Sequence, residues 1–435
     1  MTSRLPSRRQ FLNATGAILA APSIIPASAM GAAGRPAPSN RINMACIGLG
    51  GEGLGKNTRA FLSQPDAQVL AVCDVDPLHL SEGLKVVNSY YAQRSTSGTY
   101  AGCFGCKDFR ELLSRRDIDA VMISTPDHWH VPMSLMFIRV GKDVICEKPT
   151  LTIEQGRVLA DTVRKYGAVF QTSTEDRAMA CHHRMAELVR NNRIGRLRRI
   201  YVTLPAGPGT RGDPTPQPIP PGFDYDLWLG PAPEAPYCSA RIHWNFRWIY
   251  DYSGGMLTDW GAHLLDTAQW ANDTEHTGPV EVEGTGKRHQ NGLYDTFYEY
   301  SLRYRYANGV EMFVKSGGVA LRFEGDEGWV GNDGWLGRVE ASSNSILNST
   351  IGASETHLFT CPAGEHRNFL DCVKSRQDPY FPAEVAHRCC TVMHIGNIAM
   401  WTGRKLRWNP EAERFVDDPV ADRYISRAMR QPWTL

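Results

Sequence analysis

Between residues 43 and 174 short apolar runs alternate with longer amphipathic stretches. The runs occupy residues 44–49, 69–75, 120–125, 144–147 and 169–171; the spacing between them predicts helices over 54–62, 77–91, 109–113, 132–140 and 153–165. Strands that are apolar throughout, rather than at every second position, are buried on both faces. Joined by helices, they predict a parallel sheet covered on both sides, an α/β domain spanning residues 41–174.

Beyond residue 174 the alternation stops. Prolines and glycines crowd residues 205–236 and predict a long ordered or semi-ordered loop. Residues 256–271 read as helix. Residues 296–315 read as strand, because Tyr298, Tyr300, Leu302, Tyr304 and Tyr306 alternate with Glu299, Ser301, Arg303 and Arg305. One face of that sheet is aromatic and the other charged. Residues 175–435 are therefore expected to form an α+β domain on a large, mostly antiparallel open sheet. Whether the aromatic face covers helices or a second subunit stays open at this level; a homo-oligomer formed through this sheet is the expectation. No internal repeat is visible.

The first residues are of another kind. Ser7-Arg8-Arg9-Gln10-Phe11-Leu12 precedes a mildly apolar stretch, and Ala27-Ser28-Ala29 has the small-x-small form of a cleavage site. This pattern predicts a twin-arginine export signal over residues 1–29, followed by a loose linker over 30–40. The destination is periplasmic or otherwise exported. The apolar run is too short and weak for a stable membrane span.

Composition removes some partners. Lys and Arg number 47 against 46 Asp and Glu, a formal charge of +1, so no broad basic field exists to collect phosphates along a nucleic acid. Eleven cysteines raise the question of disulfides, but Cys46, Cys73 and Cys146 fall inside apolar runs, where a thiol packs as a small hydrophobe. Cys103 and Cys106 form the one CxxC pair. Without a second such pair or a nearby His pair they predict a local disulfide or an unpaired loop, not a metal site.

Gly48, Gly50 and Gly53 make a GxGxxG directly after the first strand and at the start of a helix. Such glycines permit a tight turn and close backbone approach to a pyrophosphate held at the helix N-terminus. Asp74 ends the second strand about 20 residues further on, where an acid receives ribose hydroxyls and repels a 2′-phosphate. NAD is expected in preference to NADP.

Two further runs carry candidate chemistry. Glu147-Lys148-Pro149 closes another strand of the same sheet, at the end where ligands bind in such folds. Lys148 there either polarises a reacting hydroxyl or pairs with a surface carboxylate. In the run from Gly254 to Asp266, Asp259, His263 and Asp266 stand at i, i+4 and i+7, on one helix face. A histidine suits the proton that leaves an alcohol together with hydride, and Asp259 either orients the imidazole or holds a substrate hydroxyl. Metal ligation by Asp259 and His263 lacks a third ligand at convincing spacing, so no metal is expected; a helix-face pair without function is the plain alternative.

Together the glycine run, Asp74, the segment Thr125 to His130, the Glu-Lys-Pro and the Gly254 to Asp266 run resemble the glucose-fructose oxidoreductase, inositol dehydrogenase and MocA (Gfo/Idh/MocA) family. The likeness covers most of the chain beyond the signal; Thr150 stands where that family usually has an aliphatic residue. The resemblance implies that Lys148, Asp259 and His263 surround the nicotinamide and the substrate carbinol, with His263 taking the proton. Thr125, Pro126, His130 and Glu147 would then join the cofactor contacts. The proline-rich segment and the run His243 to Trp248 resemble the exported branch of the family. There Arg177, Trp228, Asn245, Arg247 and Trp248 form the expected sugar-contact set, although the tryptophans could equally anchor the loop. Three functions are weighed: NAD-dependent oxidation of a sugar or polyol, NAD-assisted glycoside cleavage through a keto-sugar without net redox, and non-catalytic sugar binding. Retention of Lys148, Asp259 and His263 together speaks against the third, since a binder has no use for a proton acceptor.

Overall fold

The computed structural model describes residues 36–37, 40–95 and 98–435. The expected export signal lies outside the described residues, as does most of the linker. From Ile42 onward six strands form one parallel sheet: β1 (Ile42–Ile47), β2 (Ala67–Cys73), β3 (Phe104–Cys106), β4 (Ala120–Ile123), β5 (Asp143–Glu147) and β6 (Phe170–Ser173), in the order β3-β2-β1-β4-β5-β6. The sheet order reverses at β1 and β4, and the carboxyl ends flanking that point open onto a crevice. Strand β3 has no counterpart among the expected elements, because three residues with an exposed Phe104 give no pattern to read. The helix expected at residue 132 begins earlier, as Asp127–Arg139, with Asp127, His128 and His130 all buried in its first turn. The polar residues ahead of 132 carry no apolar period, and burial extends the helix through them.

The remaining chain builds a nine-stranded sheet. Its strands are β7 (Leu197–Leu204), β8 (Glu281–Lys287), β9 (Glu299–Arg305), β10 (Glu311–Ser316), β11 (Ala320–Gly325), β12 (Trp329–Asp333), β13 (Glu340–Ala341), β14 (Leu406–Asn409) and β15 (Arg414–Phe415), ordered β13-β12-β11-β7-β10-β9-β8-β14-β15. Only β7 and β10 pair in parallel. The run expected as one strand over 296–315 is a hairpin, β9 and β10, turned at Asn308-Gly309, where Gly309 takes φ +88°. The alternation in β9 holds: Tyr300, Leu302 and Tyr304 are buried, while Glu299, Ser301, Arg303 and Arg305 face out.

The aromatic face covers helices of this same chain, Gly261–Ala271 and Ala383–Thr402. Contact is close enough that a Cβ on Gly396 would lie 2.1 Å from the Tyr304 hydroxyl. The long helix also packs against Ile153–Tyr166 of the first half, so both halves share a buried seam. The outer face carries ion pairs such as Arg305 with Glu281 and Lys287 with Glu299. All eleven cysteines are free thiols, Cys103 and Cys106 included, and nine of them are buried. No described helix is long and apolar enough to cross a membrane.

Residues 205–236 stay without regular structure except the short helix Tyr225–Leu229. They are nonetheless tied down across the crevice: the Asp224 amide donates to the Val75 carbonyl at 3.1 Å, and Lys107 Nζ to the Gly222 carbonyl at 2.9 Å.

Candidate active site

A cleft of about 660 Å³ lies at the carboxyl ends of β1, β2, β4 and β5, roofed by the chain between Phe223 and Arg247. Every residue expected to contact the nucleotide borders it: Gly48, Gly50, Gly53, Asp74, Thr125, Pro126, His130, Glu147 and Lys148. The glycines divide the work. Gly48 takes φ +82°, and a Cβ on it would press to 2.4 Å from the Ser124 carbonyl oxygen; one on Gly53 would lie 1.9 Å from that of Gly48. These two close the turn. Gly50 and Gly51 instead leave open space toward the cleft, with only a His79 carbon at 3.9 Å, so a ligand can reach the backbone there. The chain runs from Gly51 directly into a helix that continues, through one widened turn at Gly53–Thr58, to Ser63. The Asp74 carboxylate is braced by the amides of Leu49 (2.6 Å) and Asp76 (2.8 Å). Oδ1 keeps a second lone pair for a ribose hydroxyl, while Oδ2 also faces His79 Nδ1 at 3.5 Å. A glycine cradle, a helix N-terminus and an oriented acid fit a dinucleotide.

His130 borders the cleft yet turns both ring nitrogens away, to the carbonyls of Pro149 and Thr125, each at 2.8 Å. It ties the loop bearing Lys148 to the loop after β4.

At the far end Lys148 Nζ donates to Asp259 Oδ1 at 2.6 Å and to the Asp259 carbonyl at 3.0 Å, while Arg247 Nε donates to Asp259 Oδ2 at 3.2 Å. Burial opposes both charges. The two cations beside Asp259 nevertheless hold its carboxyl far below the usual range, and Asp259 with Glu147 holds Lys148 above the usual lysine value. Asp259 therefore does not orient His263, as one reading of their spacing proposed. The helix tightens by one turn at Trp260, with His263 N bonding to the Trp260 carbonyl, and the two side chains take different partners.

The partner of His263 is Asp176, which the sequence reading did not single out. His263 Nδ1 donates to Asp176 Oδ2 at 2.6 Å, and Trp335 Nε1 donates to Asp176 Oδ1 at 2.7 Å. Burial lowers the His263 pKa, but Asp176 outweighs it and the net shift is upward. With Nδ1 committed, Nε2 is left as acceptor. Asp127, also in the cleft wall, accepts from Ser253 Oγ at 2.6 Å and is pushed by burial up to about 7.

The expected sugar contacts divide. Arg247 and Trp228 border the cleft, the latter stacked on Tyr225 at 5.8 Å. Arg177 does not: it is 4% exposed, forked onto Asp266 at 2.7 and 2.8 Å and paired with Glu275 at 2.7 Å. Trp248 belongs to the core and half-buried Asn245 lies off the cleft. In their place stand Trp244, 64% exposed with Arg247 stacked 4.0 Å from its ring, and Trp260 and Trp335. Trp244 and Trp260 sat inside the quoted motifs. Trp335 lies in an irregular stretch that offers no periodic signal, whereas Asp176, just past the end of β6, was within reach of the strand-end rule.

Two family profiles match the chain: "Oxidoreductase family, NAD-binding Rossmann fold" over residues 42–174, and "Oxidoreductase family, C-terminal alpha/beta domain" over residues 209–435. A 1,5-anhydro-D-fructose reductase of Ensifer adhaerens is 39% identical over 188 residues, 42% of this chain and 47% of that protein. A glycosyl hydrolase family 109 protein of Stenotrophomonas maltophilia (strain K279a) is 31% identical over 140 residues, 32% of this chain and 29% of that protein. The matches thus span less than half the length of these curated relatives. Among solved structures, the aldose-aldose oxidoreductase from Caulobacter crescentus complexed with glycerol superposes with a TM-score of 0.61 at 18% identity, over 84% of this chain and 99% of that one.

Proposed function

Since the chain belongs to the Gfo/Idh/MocA oxidoreductase family and carries its NAD-binding Rossmann domain, we propose that it oxidises a secondary alcohol of a sugar or polyol against a tightly held NAD. One observation carries this reading: a charged Lys148 and a histidine whose tautomer is set by Asp176 meet at the end of the dinucleotide cleft opposite Asp74.

Bound NAD supplies the hydride acceptor. The chain supplies the rest. Lys148, held by Asp259, directs an ammonium proton at the carbinol oxygen and favours the developing alkoxide. His263 Nε2 receives the hydroxyl proton, and Asp176 stabilises the resulting imidazolium. Arg247 and Trp244 present a donor and a flat apolar surface to a pyranose. The roof of residues 223–247 excludes water and keeps the nucleotide in place.

A second reading is favoured by the family 109 relative: the same oxidation starts a glycoside cleavage in which the cofactor is restored in each cycle. Export by residues 1–29 would fit either reading, because a twin-arginine substrate crosses folded, with its cofactor aboard. The ion-paired outer sheet face is the proposed contact between subunits.

The test follows the reduced-nicotinamide absorbance of the purified protein while sugars, polyols and aryl glycosides are added. A lasting change with a free sugar supports net oxidoreduction; aglycone release without lasting change supports cleavage. Tight sugar binding with neither change would overturn both.

A further inference from the structure

At the Asp74 end of the cleft, Asp76, His79 and His243 converge without being bonded to one another. Their ligand atoms all lie within 4.8 Å of each other. Asp76 and His79 stand at the cap and first turn of the helix Pro77–Ala92, and His243 opens the turn His243–Trp248 in the roof. Asp76 Oδ1 is used by the Leu78 amide at 2.8 Å, which leaves Oδ2 facing His243 Nε2 at 3.5 Å. The two imidazole centroids are 4.9 Å apart.

The 3.5 Å between Asp76 Oδ2 and His243 Nε2 suits two ligands of one ion better than a hydrogen bond. Ligands about 2.1 Å from a tetrahedral metal stand roughly 3.4 Å from one another, whereas a hydrogen bond closes to about 3 Å. The other group of comparable composition, Glu175, Asp176 and His263, makes the contrast: its N···O distance is 2.6 Å, a closed hydrogen bond with no room for an ion. A second observation points the same way. Asp74 Oδ2 lies 3.5 Å from His79 Nδ1, near enough to close onto that nitrogen and orient the ring once a metal holds the other one.

We propose that Asp76, His79 and His243 bind a divalent transition metal such as Zn²⁺, pinning the turn that carries Trp244 and Arg247 to the nucleotide-binding half. The expectation of no metal rested on Asp259 with His263 and on the Cys103–Cys106 pair; His243 stands far along the chain from Asp76 and His79, so no local spacing announces this group. The site is made by side chains of this chain alone, but it borders the same cleft as the proposed nucleotide, at the Asp74 end.

The test uses the full chain, stripped with a chelator and titrated with ZnCl₂ by calorimetry, with X-ray absorption of the loaded protein. One equivalent is expected to bind, with two imidazoles in its shell. His79→Ala and His243→Ala should each weaken binding by about tenfold or more, since loss of even an outer partner commonly does so. Asp76→Asn, which keeps the helix cap, should weaken it comparably and decides the matter should an alanine variant not fold. Absence of saturable binding, or one equivalent that survives these substitutions, overturns the proposal.

Discussion

His263 Nδ1 lies 2.6 Å from Asp176 Oδ2, and the Trp335 indole holds the other oxygen of that carboxylate at 2.7 Å. Asp176 comes from the end of the first sheet, His263 from a helix of the second half, and Trp335 from a loop beyond β12. Three segments fix one imidazole.

A carboxylate on Nδ1 does two things: it keeps the proton there, leaving Nε2 basic, and it raises the pKa of the ring. Asp176→Asn should therefore lower kcat by about 10²-fold or more, the scale of a misplaced general base, with KM little changed. Because Asp176 raises the histidine pKa, and the base works only when neutral, its loss should move the acidic limb of the kcat/KM profile to lower pH. An unmoved limb in a folded variant would mean that Asp176 is structural only.

Lys148 is held between Asp259 and Glu147 with its pKa above the usual lysine value. Lys148→Met should abolish most turnover, by about 10²- to 10⁴-fold if it directs a proton in the transition state. Nucleotide content measured after denaturation should stay near one per chain, because the glycine cradle and Asp74 are untouched. Loss of the nucleotide along with activity would assign Lys148 to binding instead.

How much of this could be read beforehand depended on whether the signal was local. The five longest strands of the first sheet and the buried face of β9 follow from apolar periodicity, and the glycine turn from its spacing. Phe104–Cys106 was too short to show a period. The helix face shared by Asp259, His263 and Asp266 was read correctly as helical, but one tightened turn at Trp260 and three partners distant in sequence sent the side chains to different places: Lys148, Asp176 and Arg177. Partner choice is tertiary information. Arg177, taken as a sugar contact, is the clearest case, because a charged residue at a strand end looks the same whether it faces a cleft or a buried acid.

That difference is measurable. Arg177→Met would leave Asp266 and Glu275 without their cation, and Asp266, fully buried, already has its pKa raised by burial. Breaking a buried pair in this way costs about 3–5 kcal/mol. The denaturant midpoint should fall accordingly, while KM for the sugar in the remaining folded protein stays unchanged. A raised KM at normal stability would restore the sugar-contact role.

Asp127 gives a stability signature in the opposite sense from an ordinary carboxylate. Burial pushes its pKa up to about 7 from 3.8, so the folded state holds the proton over a range where the unfolded chain has released it. The stabilisation is complete below the unfolded value and is lost as pH rises toward 7, by up to about 4 kcal/mol for a shift of this size. Asp127→Asn keeps an amide oxygen for Ser253 and removes the ionisation. Its Tm should match the wild type near pH 4 and exceed it at pH 8; equal Tm differences at both would show that Asp127 does not titrate in this window.

Trp244 tests the substrate end. It is 64% exposed and touches Arg247 at the cleft edge, with Arg247 between it and Asp259. Little folding energy depends on so exposed a ring, so Trp244→Ala should leave Tm nearly unchanged. If a pyranose rests on it, the loss is one stacking contact of about 0.5–1.5 kcal/mol, made equally before and during the reaction. Binding of that uniform kind appears in KM and not in kcat. KM should rise by about two- to tenfold with kcat preserved, whereas Phe in the same place, which keeps a flat face, should recover most of the loss. A fall in kcat at constant KM would instead mean that Trp244 acts through Arg247 on the position of Asp259, and that the sugar lies elsewhere in the cleft.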